Sequence, residues 1–222
     1  MKVSLSLDRS YSEDLSIMVD ALRASSTITT ALQSFNTVIP VKEINDAEKL
    51  AERYGAILAG ERDGAKVEGF DAGNSPVDVK DLNGEVLVLT TTNGTRILED
   101  ISSSTVLVGS FLNALATASK ASELAVNHIE VVMAGVKGVF AIEDFLCAGE
   151  IISHLPISEL DEYARAAVMA AETPGRVDDA VLNSNSALGL RSLGLFKDVE
   201  FCLKRDIYNT VPIYKDGIIK NL

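Results

Sequence analysis

Carboxylates and guanidinium groups sit where apolar runs of this chain stop. Asp20 follows Ile17-Met18-Val19 and precedes Arg23 and Ser25-Ser26-Thr27, while Glu61 and Arg62 follow Ile57-Leu58-Ala59-Gly60. Glu143 and Asp144 open a helical pattern after a loop bracketed by Gly135 and Gly138. A carboxylate at a strand end can ligate a hard cation, and a guanidinium fork can hold an anionic group through two parallel N–H donors. Together they suit chemistry on a phosphoryl group, which needs charge neutralisation on its oxygens and an in-line nucleophile.

The segment Thr90-Thr91-Thr92-Asn93-Gly94-Thr95-Arg96 offers hydroxyls, a glycine that lets backbone approach closely, and a helix start near Thr95. Its N–H groups and Arg96 could cradle an anion. The same residues also read as a Thr-rich turn and N-cap with an exposed Arg. Asp71 and Asn74-Ser75-Pro76 are similarly open: ligand and substrate contacts, or an Asx-type turn closed by proline. Ser110 and Gly135 end two further apolar runs, Val106-Leu107-Val108-Gly109 and Val131-Val132-Met133-Ala134.

Several other chemistries are poorly served. A phosphatase of the haloacid-dehalogenase type needs a second Asp two residues after the first, and that position is Leu22. The Cys-x5-Arg loop of cysteine phosphatases is missing around Cys147, which reads as a core thiol. His128 and His154, one before a strand pattern and one at a helix end, read as structural, which disfavours phosphohistidine chemistry and a His-rich metal site.

Elements that must position these residues alternate regularly. Strands are expected over 3–7, 15–19, 38–41, 56–59, 85–89, 105–108 and 129–133, and helices over 24–34, 46–54, 95–101, 112–126 and 142–155. This is an α/β chain in three layers, α/β/α, around a largely parallel or mixed sheet. In a parallel sheet the carboxyl ends of the strands share one edge, so the strand-end residues are expected in one crevice. Residues 60–83 have turn chemistry and form a long loop with apolar Val67, Phe70 and Val77 to pack it. Residues 1–155 read as the core carrying most of the site. Residues 156–222 read as a helical extension, with helices over 158–171 (capped by Ser158) and 184–193, ending in a hairpin turned by Asp216-Gly217.

A formal net charge of −12 over 222 residues repels nucleic acid and anionic membrane surfaces, and no run is long enough to span a bilayer. The same field repels an anionic substrate, so a local cation, arginines or N–H groups must overcome it within the roughly 8 Å that physiological salt leaves unscreened. The amino terminus lacks a signal-peptide pattern and the two cysteines are isolated, so a cytoplasmic location is expected. The apolar stretch 112–126 could serve a homodimer or the core.

Taken in order, Val19-Asp20-Ala21-Leu22-Arg23-Ala24-Ser25-Ser26-Thr27, Gly60-Glu61-Arg62-Asp63-Gly64, Phe70-Asp71-Ala72-Gly73-Asn74-Ser75-Pro76, Thr91-Thr92-Asn93-Gly94-Thr95 and Glu143-Asp144-Phe145-Leu146-Cys147-Ala148-Gly149 make the chain resemble the 2-phosphosulfolactate phosphatase (ComB-like) family. The resemblance implies a distinctive α/β/α fold and a magnesium-dependent hydrolysis of 2-phosphosulfolactate to sulfolactate and phosphate, in coenzyme M biosynthesis or sulfolactate metabolism. On the residues themselves, Asp20, Arg23 and Asp144 are the candidate catalytic groups. Mg²⁺ is expected on a subset of Asp20, Glu61, Asp71, Glu143 and Asp144. Ser25, Ser26, Arg62, Asn74, Ser75, Thr91, Thr92, Asn93, Gly94, Thr95, Arg96, Ser110 and Gly135 are candidates for holding a small phosphorylated anion. A noncatalytic binder of small organic anions is the alternative, and it would need no divalent metal.

Overall fold

Every residue from Leu15 to Val19 is buried, as a strand covered by helices on both faces requires. The computed structural model describes residues 1–156 and 159–222, with the side chain of Glu99 also left outside. In chain order the elements are β1 (Lys2–Leu7), β2 (Leu15–Val19), α1 (Ala24–Ala31), β3 (Phe35–Val41), α2 (Ile44–Tyr54), β4 (Ile57–Arg62), β5 (Ala65–Lys66), α3 (Pro76–Val79), β6 (Gly84–Thr90) and α4 (Gly94–Asp100). They continue as β7 (Thr105–Gly109), α5 (Ala114–Leu124), β8 (His128–Met133), α6 (Ile142–Ser153), β9 (Glu159–Leu160), α7 (Glu162–Ala171), α8 (Pro174–Leu182), α9 (Asn185–Ser192), α10 (Phe196–Cys202), β10 (Pro212–Lys215) and β11 (Ile218–Asn221).

The sheet is mixed, in the order β5-β4-β6-β3-β11-β10-β7-β2-β8-β1-β9. Strands β4, β6 and β3 pair in parallel, as do β7, β2, β8, β1 and β9. Between these halves lies the terminal hairpin β10-β11, antiparallel to β7 on one side and to β3 on the other. Its Asp216 and Gly217 both have positive φ, 51° and 81°, the backbone an Asp-Gly hairpin turn requires. Three successive antiparallel pairings reverse direction three times, so the two halves run oppositely along the sheet. A single common carboxyl edge, expected for a parallel sheet, is therefore not what gathers the site. What brings the two halves together at the site is seen in a contact between them: Arg23, just after β2, donates to the Gly64 carbonyl just after β4.

Two apolar layers follow from alternation along the strands. Ile17 and Val19 join Ala114, Ala118, Leu146 and Ile151 on the side of α5 and α6, while Met18 joins Ile28, Ile97 and Leu98 from α1 and α4. Helix α2 covers the β4-β6 half with Ala47 and Ala51 against Val88. The Ala-rich helix expected from residue 158 starts later, at Glu162, because the Asp161 side chain accepts the Ala164 N–H at 2.7 Å. Ser158 itself lies outside the described residues. Among the described residues no helix is long and apolar enough to cross a membrane.

Candidate active site

Asp20 leaves β2 and turns at once into α1. Its backbone carbonyl accepts the Ser25 N–H at 2.9 Å and its Oδ1 accepts the Ala24 N–H at 3.2 Å, while its own N–H donates to Ser25 Oγ at 2.8 Å. Ser25 and Ser26 are fully buried, and Ser26 Oγ donates to Ala21 O at 3.1 Å, so both hydroxyls shape this turn. Oδ2 of Asp20 has no hydrogen-bond donor among the described residues. A Cβ on Gly94 would stand 3.1 Å from that oxygen and 2.8 Å from the Ala24 Cβ, so only glycine lets the start of α4 press against it.

Asp144, in the first turn of α6, ties two strand ends together. Oδ1 accepts the Ala21 N–H at 2.8 Å and Oδ2 accepts the Gly135 N–H at 2.9 Å. Gly135 has φ +61°, and a Cβ there would meet the Val139 carbonyl oxygen at 2.5 Å, which explains glycine after β8. Glu143 beside it is buried and has no hydrogen-bond partner among the described residues. Burial foremost, followed among the raising causes by the Glu61 and Glu143 charges, pushes Asp20 up to about 7 against the Ala24 N–H and Arg23. Burial, then Asp20 and Glu143, raises Asp144 well above the ordinary carboxyl range despite its two N–H partners.

Glu61, ending β4, holds two loops. Oε1 accepts the Thr92 N–H and Oε2 the Gly64 N–H, each at 2.7 Å. Arg23 approaches from the β2 side, donating from Nη2 to the Gly64 carbonyl at 2.8 Å and from Nη1 to Asp198 at 2.5 Å. These contacts close a cavity of about 350 Å³ lined by Asp20, Leu22, Arg23, Glu61, Asp63, Gly64, Asn74, Thr92, Asn93, Val136 and Lys137, with Ser186, Gly189, Leu190, Ser192 and Leu193 from α9 and its end forming the far wall. Lys137 pairs with Asp63 at 2.9 Å across the mouth, and its N–H donates to Asn93 Oδ1 at 3.1 Å.

Six of the sequence candidates thus line one cavity: Asp20, Arg23, Glu61, Asn74, Thr92 and Asn93. Ser25, Ser26, Thr91, Gly94, Thr95, Gly135, Glu143 and Asp144 form the frame behind it; Thr95 Oγ1, for example, donates to Thr91 O at 2.8 Å. Other candidates go elsewhere. Arg96 pairs with Asp8, and Arg62 is spent on the carbonyls of Glu61 and Lys42 and on Thr90 Oγ1. Ser110 forms a capping box with Asn113, and exposed Asp71 accepts the Leu58 N–H at 2.8 Å. Ser75 caps α3 and donates to Asp198. The sequence places most of the site in residues 1–155 and singles out neither Asp198 nor the α9 wall, which come from the carboxy-terminal helices. No local pattern distinguishes them, since their role comes from packing across the chain.

The carboxylates differ in the oxygens they leave open to a hard cation such as Mg²⁺. No group of three or more His, Cys, Asp or Glu is arranged for a metal among the described residues. Glu61 and Asp144 have both carboxylate oxygens committed to backbone N–H groups, which leaves Asp20 Oδ2 and the Glu143 carboxylate. Two hard oxygen ligands, with waters and substrate completing the shell, are what Mg²⁺ commonly takes from a protein.

A family model described as 2-phosphosulpholactate phosphatase matches residues 3–217. The chain belongs to the 2-phosphosulfolactate phosphatase family. Among relatives, it is 53% identical to the 2-phosphosulfolactate phosphatase of Methanothermobacter thermautotrophicus, covering 99% of this chain and 95% of that protein. It is 41% identical to a probable 2-phosphosulfolactate phosphatase of Thermotoga petrophila (91% and 89% covered) and 40% identical to one of Clostridium acetobutylicum (91% and 90%). The family members thus match the carboxy-terminal helices as well as the strands, in keeping with a cavity wall built from α9.

Proposed function

We propose that this chain hydrolyses 2-phosphosulfolactate to sulfolactate and phosphate, with Mg²⁺ held by Asp20 and Glu143. One observation carries the reading: buried Asp20 and Glu61 line one cavity with buried Glu143 and Asp144 in the frame behind them, and the guanidinium beside Asp20 is already neutralised by Asp198. A triply or doubly negative ester cannot enter such a field without added positive charge. Mg²⁺, when bound, supplies that charge and polarises the phosphoryl oxygens.

The protein's own residues do the rest. Arg23 uses two N–H donors internally and has three left, from the five of a guanidinium, to orient the phosphoryl group. Thr92 and Asn93 border the same space, and the Leu190-Leu193 wall excludes water from the substrate's carbon chain. Asp144 holds the Ala21 and Gly135 strand ends in place, so its effect on turnover runs through their positions. The competing route is direct attack on phosphorus by Asp20 Oδ2, its one uncommitted oxygen, which would then not be free to hold the metal. Trapping of labelled phosphoenzyme during turnover separates that route from attack by water. Buried, unpaired Cys147 and Cys202 suit a reducing cytoplasm.

The test is phosphate release from 2-phosphosulfolactate with Mg²⁺ and after chelation. Release that requires the metal supports the reading. Anion binding with no release, with or without Mg²⁺, leaves the noncatalytic alternative.

A further inference from the structure

Arg23, Asp198 and Ser75 come from three distant stretches and meet as a buried chain. Arg23 Nη1 donates to Asp198 Oδ2 at 2.5 Å, and Ser75 Oγ donates to Asp198 Oδ1 at 2.6 Å. Both charged side chains are 3% exposed. Ser75 Oγ also accepts the Asp78 N–H at 3.1 Å as the cap of α3. That helix start fixes which way the hydroxyl proton points, namely toward Asp198. Each oxygen of the Asp198 carboxylate therefore has a donor, as an ionised acid inside a protein requires.

The geometry points to Asp198 as a positioning residue for catalysis, holding Arg23 so that its unused N–H groups face the phosphoryl group in the cavity. This rests on the phosphatase reading. The competing carboxylates make the need physical. Asp20 and Glu61 line the same cavity as Arg23, and a guanidinium without a counterion on its far side would be drawn onto them. Two costs would follow: Arg23 would no longer present its fork to substrate, and it would occupy the negative charge that a cation needs. Asp198, supplied by α10, pulls the guanidinium back while the Gly64 carbonyl holds Nη2, so the fork is anchored at two points. A purely structural ion pair fastening α10 to the core is the competing account. It predicts lost stability without a kinetic link to Arg23.

The experiment is a double-mutant cycle on phosphate release from 2-phosphosulfolactate, with inorganic phosphate binding followed by calorimetry as a readout independent of turnover. Asp198→Asn should lower kcat/KM by about 10²-fold, the scale of a misplaced positioning group, and weaken phosphate binding. Arg23→Ala should cost about 10²–10³-fold as a lost charge-stabilising donor. Combined with Asp198→Asn it should lose little more than Arg23→Ala alone, because Asp198 acts only through Arg23. Losses that multiply in the double variant, or a wild-type kcat/KM in Asp198→Asn with a lowered Tm, would overturn the assignment. If Asp198→Asn does not fold, Ser75→Ala decides. It keeps the ion pair and removes the hydroxyl donated to Asp198 together with the cap on the Asp78 N–H, so about a 3–10-fold loss in kcat/KM is expected, and unchanged kinetics and phosphate affinity overturn the proposal. A wild type that binds phosphate through Arg23 and Asp198 yet releases none from the ester would sink the phosphatase reading alone.

Discussion

The two ends of β2 and β8 carry buried carboxylates in opposite circumstances. At the amino ends, Glu130 is 2% exposed, and its Oε2 takes the Ser10 hydroxyl and the N–H groups of Tyr11 and Ser12. Nearby Asp14 accepts three backbone N–H groups, from Val126, Asn127 and His128, at 2.6–2.9 Å. At the carboxyl ends, Asp20 and Asp144 crowd with Glu143 and Glu61. Burial acts upward on both Asp14 and Asp20. Three N–H donors bring Asp14 below the ordinary range, whereas like charges add to burial and carry Asp20 to about 7. Between Glu130 and the Asp20 cluster, which are alike in burial, the number of donors per charge separates a fastening from a candidate reactive site; Asp14 has the same three donors and is also more exposed.

The comparison breaks most visibly at Asp20. Asp20→Asn should lower phosphate release by at least about 10³-fold, yet stabilise the metal-free protein. A folded pKa above the unfolded one means that ionisation penalises the fold as pH rises from about 4, with the full penalty above about 7. The variant should therefore gain about 1–3 kcal/mol in urea unfolding at pH 8 and nothing near pH 3.5. A loss of stability at pH 8 would place Asp20 with Glu130. Glu130→Gln should do the reverse, costing about 1–3 kcal/mol of unfolding free energy because N–H donors lose their charged acceptor, with kcat per folded molecule unchanged.

Adding Mg²⁺ at 100 times its dissociation constant should stabilise the wild type by about 2.7 kcal/mol and leave Asp20→Asn unmoved in thermal unfolding. Asp14 gives a smaller, pH-resolved effect. Its folded pKa lies below 3.8, so its contribution is present above about pH 4 and is lost as pH falls through the lower folded value. Asp14→Asn should cost about 0.5 kcal/mol at pH 6 after solvent screening and converge with the wild type toward pH 2. Smallest is Lys137→Ala, which removes an exposed pair at the cavity mouth. A shift in KM of about 2-fold with kcat unchanged is expected in steady-state assays.

Much of the fold could be read from periodicity. β2 begins and ends where its apolar run does, and Asp216-Gly217 turns a hairpin as expected. The short α8 and α10 were missed, since 9 and 7 residues leave little room for a pattern. Candidate residues next to a strand end that enters the cavity, Asp20, Glu61 and Thr92, were found because their place depends on neighbours in sequence. Arg62 and Arg96 are anion-ligand candidates from their places at a strand end and a helix start, and tertiary partners claim both: the Lys42 carbonyl and Thr90 for one, Asp8 for the other.

From the sequence by itself came the alternation of strands and helices, the acidic strand ends and the family, because each depends on residue type and local order. Only tertiary structure placed the hairpin at the centre of the sheet, reversed one half against the other, and brought Asp198 to Arg23 across 175 positions. Strand order and pairing sense are set by how twisted layers bury their apolar faces together. That is a property of the whole packed chain, and no short segment encodes it.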